Sequence, residues 1–374
     1  MTLNNVTAIG SAGPVNMHVN NGKMTAGKDP AIDTLQLTFD NALIFPGLIN
    51  SHDHLDFNLF PQLGNRIYNN YTEWGGYIHQ NYKDEIAAVL KVPLDLRLRW
   101  GMFKNLLCGV TTVVNHGEQV VVNDAPITVE QCHSIHSVQF EKAWRIKLNN
   151  PLKRKQPAVI HTGEGRDELA HNEIDLLIYW NLLKKKLIGV HGVAMSEDQA
   201  KEFEALVWCP VSNYFLLNQT AHIDFLKKHT AILFGTDSTL TGNWNLWDHI
   251  RLARKTHMLT DSELYDSLYL NPAAVWKTNN SNKAALIVAN KKGSGSWLES
   301  FFLTDPEDLL LVVHDENIRL FDETLLSQLG DTDLSQFSKI YIKGACKYVQ
   351  GDLPELMKQI KEYYPEAIFP ITVN

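Results

Sequence analysis

The pattern of apolar and polar positions changes near residue 45. Before it, Met17-His18-Val19 and Leu35–Phe39 alternate apolar and polar residues, which is the period of a strand with one buried face. After it, short continuous apolar runs alternate with segments of helical period. This alternation is typical of βα units around a parallel sheet. We therefore predict an α/β fold from residue 45 onward.

Strand patterns return near the end of the chain. Ala285–Ala289, Leu309–Val313 and Ile340–Lys343 have strand character, and Leu353–Tyr364 has helical character. We expect these strands to join those at the N-terminus.

Three intervening segments carry their own predictions. Residues 58–82 are rich in aromatic residues and are predicted to be a long non-helical loop, either a substrate lid or a loop packed by its own rings. Asp84–Cys108 is predicted to be one helix that ends at Gly109. Trp144–Leu148 is predicted to be a strand.

Polar side chains follow four apolar runs. His52 and His54 lie on one face of a strand because alternate side chains share a face. His161, His191 and Asp237 each follow a further run. The carboxyl ends of barrel strands meet on the face that carries the chemistry, so these side chains predict a metal centre.

Composition excludes several functions. The net charge of −8 and pI near 6.0 give no basic surface, so we expect no nucleic-acid partner. No apolar run reaches membrane-spanning length and the first residues show no signal peptide, so we expect no membrane partner. The four cysteines lack paired spacing, which indicates reduced thiols and a cytoplasmic protein. Cys209 is expected to be a buried structural thiol.

Several motifs resemble those of the amidohydrolase superfamily of metal-dependent hydrolases. They are PGLINSHDH, GVTTVVNHG, the His-x-x-Glu of HTGEG, GVHGVAMS, CPVSN and FGTDS. The match is best to the mononuclear branch of cytosine, guanine and triazine deaminases and chlorohydrolases. The resemblance implies a (β/α)8 TIM-like barrel over residues 46–276. It also implies a small β-sandwich domain built from residues 1–45 plus 277–374.

The resemblance implies a role for each matched residue. His52, His54, His161 and Asp237 would bind one divalent ion, with zinc preferred and iron as the alternative. The bound water would give a hydroxide nucleophile near neutral pH. Asp237 would also accept a proton from that water. Glu164 would move protons to the leaving group, and His191 would orient the nucleophile.

Other residues are placed by position. We assign Trp74, His79 and Asn213 to substrate binding, with Ser212 beside them. Asp53 should point away from the ligands and is assigned a structural role. Lys147 is the candidate for a carboxylated lysine, should the centre hold two metals. His116 also follows a strand, but the resemblance gives it no metal role, and the segment between His54 and His161 is short for the family.

The predicted function is hydrolysis of a C–N bond other than a peptide bond, by an aminohydrolase that acts on a small heterocyclic substrate. Two alternatives use the same site, namely hydrolysis of a cyclic amide and displacement of chloride. A barrel that binds ligands without catalysis is the alternative from another class. The substrate is a small molecule, and a homodimer is left open.

Overall fold

Buried strands lie at the centre of the fold, as their apolar runs predict. A computed structural model describes residues 1–11, 13–20, 23–27, 35–117, 124–278, 284–330 and 332–373. The strands are β1 (Thr2–Ala8), β2 (Val15–Asn20), β3 (Lys23–Ala26), β4 (Gln36–Pro46), β5 (Leu48–Asp53), β6 (Val110–Asn115), β7 (Thr128–Gln131), β8 (His133–Ser137), β9 (Ala158–Thr162), β10 (Leu187–His191), β11 (Ala205–Trp208), β12 (Ala231–Phe234), β13 (Leu286–Asn290), β14 (Leu309–His314), β15 (Asn317–Asp322), β16 (Phe337–Ile342) and β17 (Ala345–Gln350).

Helices cover and connect these strands. They are α1 (Tyr71–Asn81), α2 (Lys83–Leu90), α3 (Leu94–Leu106), α4 (Trp144–Leu148), α5 (Glu168–Tyr179), α6 (Glu197–Ala200), α7 (Pro210–Leu217), α8 (Ile223–Leu226), α9 (Leu246–Lys255), α10 (Asp261–Asp266), α11 (Leu270–Trp276), α12 (Trp297–Phe302) and α13 (Leu353–Tyr363). The described helices are all too short, or too polar, to cross a bilayer.

The central strands form two parallel sheets, in the orders β5-β6-β7 and β12-β11-β10-β9-β8. β7 and β8 follow one another with only Cys132 between them, so one extended run pairs with β6 through its first half and with β9 through its second half. At the other edge, the backbone N–H groups of Thr236 and Asp237 donate to the carbonyl of His52 at 3.2 and 3.1 Å. This contact brings the carboxyl end of β5 beside the residues that follow β12.

Both ends of the chain contribute to one nine-stranded sheet, in the order β16-β17-β15-β14-β13-β4-β1-β2-β3. The two halves meet where β13 pairs antiparallel with β4, from Leu286 opposite Pro46 to Asn290 opposite Ala42. A separate apolar cluster packs on this sheet, with Leu3, Val6 and Leu311 among its fully buried members.

The structure corrects three predicted elements. The aromatic segment 58–82 contains helix α1, whose first turn is capped by the Asn70 side chain, which accepts from the N–H groups of Thr72 and Glu73. The single helix expected over Asp84–Cys108 is two helices, α2 and α3, because proline at position 93 disfavours helical backbone in the residue before it. Trp144–Leu148, predicted as a strand, is helix α4.

Candidate metal centre and active-site cavity

Three histidine side chains converge at the carboxyl ends of β5 and β9. The Nε2 atom of His161 lies 3.2 Å from the Nε2 atom of His52 and 3.2 Å from that of His54. Two nitrogen ligands at tetrahedral positions around one zinc ion lie about 3.3 Å apart, given the usual Zn–N bond length. The spacing of these nitrogen atoms therefore fits a shared ion.

A carboxylate completes the group. The Oδ1 atom of Asp237 lies 3.8 Å from the Nε2 atom of His52 and 3.7 Å from that of His54. Its Oδ2 atom accepts hydrogen bonds from the hydroxyls of Ser212 and Thr241, each at 2.9 Å. These bonds fix the carboxylate with Oδ1 toward the histidines. His52, His54 and Asp237 form one candidate ligand group, and His52, His161 and His191 form an overlapping one.

The protonation states of these groups suit a cation. Burial, reinforced by the neighbouring histidines, lowers the pKa of His52 and of His161 well below the usual value, so both rings are neutral near pH 7. Burial opposes ionisation of Asp237, but His54, His191 and two hydroxyl donors outweigh it, and the pKa of Asp237 is lowered overall. Neutral imidazole and ionised carboxylate are the forms that bind metals.

The backbone orients His161. The Nδ1 atom of His161 lies 2.8 Å from the carbonyl oxygen of His136, which can only accept a hydrogen bond. His161 therefore carries its proton on Nδ1 and turns the lone pair of Nε2 toward the other two histidines. A histidine ligand commonly has such a carbonyl partner. No sequence pattern predicts this contact, because it depends on the position of a backbone atom.

Glu164 and His191 lie at the edge of this cluster. The Oε1 atom of Glu164 is 3.5 Å from the Nε2 atom of His191, and both side chains are buried. Gly163 has φ +62°, which lets the chain turn Glu164 back toward the cluster. Burial, with Asp237 and Glu173 nearby, raises the pKa of Glu164 well above its usual value. Burial lowers the pKa of His191 to about 4.

A chain of hydrogen bonds leads from Trp208 to His191. The indole N–H of Trp208 can only donate, and it lies 2.7 Å from the hydroxyl oxygen of Thr220. That hydroxyl donates to the Oδ1 atom of Asn213 at 3.3 Å. The amide nitrogen of Asn213 therefore faces the Nδ1 atom of His191, at 3.0 Å. His191 must accept there, which leaves its proton on Nε2, facing Glu164.

This arrangement bears on the expected substrate contacts of Asn213. Asn213 is completely buried behind His191 in the first turn of α7, and it is not among the described residues that line the adjoining cavity. Its neighbour Ser212 contacts Asp237. The CPVSN motif thus supports two site residues from behind.

A cavity of about 460 Å³ opens directly onto the cluster. It is lined by His54, His161, Glu164, His191 and Asp237 and by residues of α1 and α2, which cover its outer side. Trp74 and His79 both line it. The backbone ties α1 to the Glu164 segment, since the N–H of Tyr71 donates to the Glu164 carbonyl at 3.0 Å. The aromatic segment therefore lies where a substrate lid would lie.

Asp53 points away from the histidines, as strand alternation predicts. Its carboxylate is completely buried and accepts from the ammonium of Lys104 at 2.8 Å and from the side-chain amide of Asn105 at 2.7 Å. Asn58 donates to it at 2.8 Å. The sequence analysis missed Lys104, although a lysine in a helix whose neighbours are buried is a detectable signal.

Two further predicted positions have definite surroundings. Lys147 lies in α4, is half exposed and pairs with Glu141, and both side chains line a second cavity that also reaches His54 and His116. His116 follows β6 and is buried, with its ring centroid 4.2 Å from that of His161. It is not part of either candidate ligand group.

Comparison with known proteins gives matches in structure alone. No family model and no curated protein sequence matches the chain. A zinc-bound adenosine deaminase from Xanthomonas campestris has a TM-score of 0.68 at 14% identity, covering 98% of this chain and 97% of its own.

Two further solved structures are similar. A guanine deaminase from C. acetobutylicum with bound guanine has a TM-score of 0.62 at 13% identity, covering 85% and 99% of the two chains. A zinc complex of atrazine chlorohydrolase from Arthrobacter aurescens has a TM-score of 0.64 at 14% identity, covering 97% and 100%. The chain thus has the fold of these enzymes, which are two deaminases and a chlorohydrolase.

Proposed function

We propose that this protein is a metal-dependent hydrolase of C–N bonds, and most specifically an aminohydrolase of a small heterocycle. The observation that carries the proposal is the convergence of three imidazole nitrogens and one carboxylate oxygen, with Glu164 and His191 beside them at the base of a cavity. The similar solved structures include an adenosine deaminase and a guanine deaminase.

His52, His54, His161 and Asp237 would hold one divalent ion, zinc by preference. Such an ion supplies a water molecule whose pKa is lowered enough to attack near neutral pH. The ion pair of Lys147 with Glu141 supports a single ion. A second ion would need a bridging ligand such as a carboxylated lysine, and the candidate for that role, Lys147, is paired with Glu141 instead.

The side chains divide the proton transfers among them. Glu164, whose raised pKa favours the protonated form, can hold a proton and deliver it to the ring nitrogen or leaving amine of a substrate in the cavity. His191, protonated on Nε2, can donate a hydrogen bond to the oxygen that enters the substrate. Asp237, held by two hydroxyl groups, can accept a proton from the attacking water.

We propose that the parallel strands close into a TIM-like barrel, with the extended run formed by β7 and β8 shortening the side between His54 and His161. We propose the domain boundaries that the resemblance implies, with a barrel over residues 46–276 and a small β-sandwich from 1–45 plus 277–374. The pairing of β4 with β13 supports a joint domain of the two chain ends.

A variant series tests these roles. Glu164→Gln keeps the size of the side chain but cannot carry the proton, so we expect turnover to fall roughly a hundred- to ten-thousandfold with metal content intact. His161→Ala should lose both metal and turnover, and His191→Asn should keep the metal and lose most of the rate. The measurements are elemental analysis and ammonia release from a panel of amino-substituted heterocycles, with lactams and chlorinated rings alongside.

The panel also separates the alternatives. Product masses distinguish loss of ammonia from ring opening or loss of chloride. One metal ion per chain is expected. Two ions per chain would contradict the mononuclear site, and full turnover by Glu164→Gln would remove the proton-transfer role. A metal-loaded protein that turns over nothing would favour the non-catalytic alternative.

A further inference from the structure

The walls of the cavity away from the ligand cluster are formed mainly by apolar and aromatic side chains. The apolar and aromatic residues that line it are Phe57, Phe60, Tyr71, Trp74, Ile78, Ile86, Leu90, Phe140 and Leu240. Gly75 allows one of these contacts, because a Cβ atom there would lie 2.9 Å from the ring of Phe140. Apolar walls of this kind favour a flat ring or an alkyl substituent.

The polar ends of the two amphipathic aromatics are engaged with protein groups. The indole N–H of Trp74 donates to the carbonyl of Leu63 at 2.7 Å, and the hydroxyl of Tyr71 donates to the carboxylate of Glu173 at 3.0 Å. A ligand in the cavity therefore meets the ring surfaces of Trp74 and Tyr71.

Cationic side chains are absent from the wall of this cavity, as far as the described lining residues show. Lys147 and Lys153 line a neighbouring cavity that shares His54, Phe57 and His136 with it, and the ammonium of Lys147 is paired with Glu141. Arg66 lies nearby on the covering segment, but its guanidinium packs on Tyr68 and Tyr77 and pairs with Glu73. Polar groups away from the cluster are limited, among the lining residues, to His79, His136 and Ser238, together with Thr241, whose hydroxyl is engaged by Asp237.

This distribution of charge disfavours an anionic ligand. A phosphate, carboxylate or sulfonate group would leave water without a lysine or arginine to pair with it, and burial of an unpaired charge is costly. At the base, the carboxylate of Asp237 offsets part of the charge of the divalent ion proposed there, and the apolar walls supply no cation of their own. A neutral substituent carries no such cost.

We propose that the cavity selects neutral amino-substituted heterocycles with apolar substituents and excludes those with an anionic group; this rests on the proposed aminohydrolase function. The observation that supports this proposal is a wall of aromatic and aliphatic side chains. The polar atoms of Trp74 and Tyr71 in this wall form hydrogen bonds with Leu63 and Glu173 and not with the cavity. Nucleotides and ring carboxylates are thereby excluded, whereas the uncharged ring or its alkyl derivative fits.

Binding of a matched pair of ligands tests the selection apart from turnover. Both carry the same aminotriazine ring on a three-carbon chain, which ends in a sulfonate in one and in a methyl sulfone in the other. Sulfonates are weak metal ligands, so the pair isolates the charge. Calorimetry on zinc-loaded Glu164→Gln protein should give a Kd for the sulfonate that is higher than the Kd for the sulfone by roughly thirtyfold or more. Equal or tighter sulfonate binding would overturn the proposal, and so would failure of both ligands to bind.

A rim variant provides a second readout. Leu90 lines the cavity and is 48% exposed, so Leu90→Arg should add a cation without disturbing the fold. We expect this variant to lower the ratio of the sulfonate Kd to the sulfone Kd roughly fivefold. Leu169→Arg is the matched control, because Leu169 is 45% exposed and lies in α5, away from the cavity wall. An equal effect of both variants would contradict the proposal.

The outcomes separate the two proposals. If the sulfone binds selectively and the parent protein releases no ammonia from it or from related rings, the selection stands and the aminohydrolase function fails. If the parent deaminates anionic and neutral rings with equal kcat/KM, the function stands and the selection fails.

Discussion

His191 is held in one tautomer by side chains that do not reach the cavity. Trp208, Thr220 and Asn213 form a series in which each hydrogen bond sets the direction of the next. The first member can only donate, so the series ends with a donor facing the Nδ1 atom of His191. Buried networks that are fully satisfied in this way hold one arrangement.

Replacement of Asn213 should therefore lower the rate without loss of metal. In Asn213→Leu the Nδ1 atom of His191 loses its donor, and the ring can turn or change tautomer. We expect kcat to fall roughly ten- to a hundredfold, as for other residues that orient a site histidine. Steady-state kinetics with elemental analysis measures this.

Thr220→Val is the matched control, since it removes the hydroxyl and its bonds to Trp208 and Asn213 but leaves the Asn213 amide in place beside His191, and a smaller loss of kcat is expected. The ¹⁵N shifts of His191 report the tautomer directly. An unchanged kcat and an unchanged tautomer in Asn213→Leu would refute the positioning role.

Glu173 gives a separate effect on stability. Its buried carboxylate accepts from the N–H of Gly163 at 2.8 Å and from Tyr71, and burial raises its pKa to about 7 from 4.5. Between these values the folded chain holds more protons than the unfolded chain. The free energy of unfolding contributed by this group therefore falls as pH rises through that range.

Glu173→Gln should remove this pH-dependent fall in the free energy of unfolding, because glutamine keeps a hydrogen-bond acceptor and does not titrate. Relative to the parent, the variant should gain stability as pH rises from 4.5 to 7, by up to about 1.4 kcal/mol per pH unit. Urea unfolding at a series of pH values gives the difference curve. Parallel curves for the two proteins would show that the carboxylate is not buried as described.

At the scale of elements, α3 is joined to β5 by buried charge. The side chain of Lys104 is 2% exposed. Its ammonium donates to the carboxylate of Asp53, to the side-chain oxygen of Asn58 and, at 3.4 Å, to the hydroxyl oxygen of Thr236. Thr236 directly precedes Asp237. This network thus connects α3, strand β5, which His54 follows, and the segment that carries Asp237.

Lys104→Met should leave the carboxylate of Asp53 buried without its cation. Removal of one partner of a buried ion pair costs about 3–5 kcal/mol. Urea denaturation of the metal-free protein should show a loss of that size. Lys91→Met, at an exposed lysine that follows α2, is the control and should change stability by less than about 0.5 kcal/mol. Similar losses in both variants would argue against the network.

The sequence predicted those elements whose signal is local. His161 and His191 each directly follow a continuous apolar run, and Asp237 follows such a run after Gly235 and Thr236. A fully buried parallel strand requires a run of this kind, which is why these residues were predicted at strand ends. Helix α1 was missed although Tyr71, Trp74 and Ile78 recur at helical spacing, because two adjacent glycines, Gly75 and Gly76, lower the helix propensity of the segment. The contact of His136 with His161 joins distant segments and has no local pattern, and the apolar neighbours of Lys104 do not by themselves identify Asp53 as its partner.

At the scale of the whole molecule, one sheet joins the two ends of the chain. β4 continues almost directly into β5, with only Gly47 between them. β13 pairs with the last five residues of β4. The N–H of Gly47 also donates to the carbonyl of Ala285 at 3.0 Å. The sheet therefore supports the strand that carries His52 and His54.

Deletion of residues 1–40 should loosen the C-terminal strands. It removes β1, β2, β3 and the part of β4 before Asn41, and with them the buried side chains of Leu3, Val6 and Phe39. Hydrogen exchange with mass spectrometry should then show loss of protection in β13 and β14, while peptides from β10 and β11 serve as the internal reference. Full protection of β13 and β14 would show that the two chain ends fold independently.

The pairing of β4 with β13 also orders events during synthesis. β4 leaves the ribosome some 240 residues before its partner, as the positions of the two strands require. Until then the backbone groups of one edge of β4 have no strand beside them, and such an edge pairs readily with other chains. This edge of β4 therefore stays unpaired while the residues between β4 and β13 are synthesised. Chains that stop before Leu286 keep the unpaired edge.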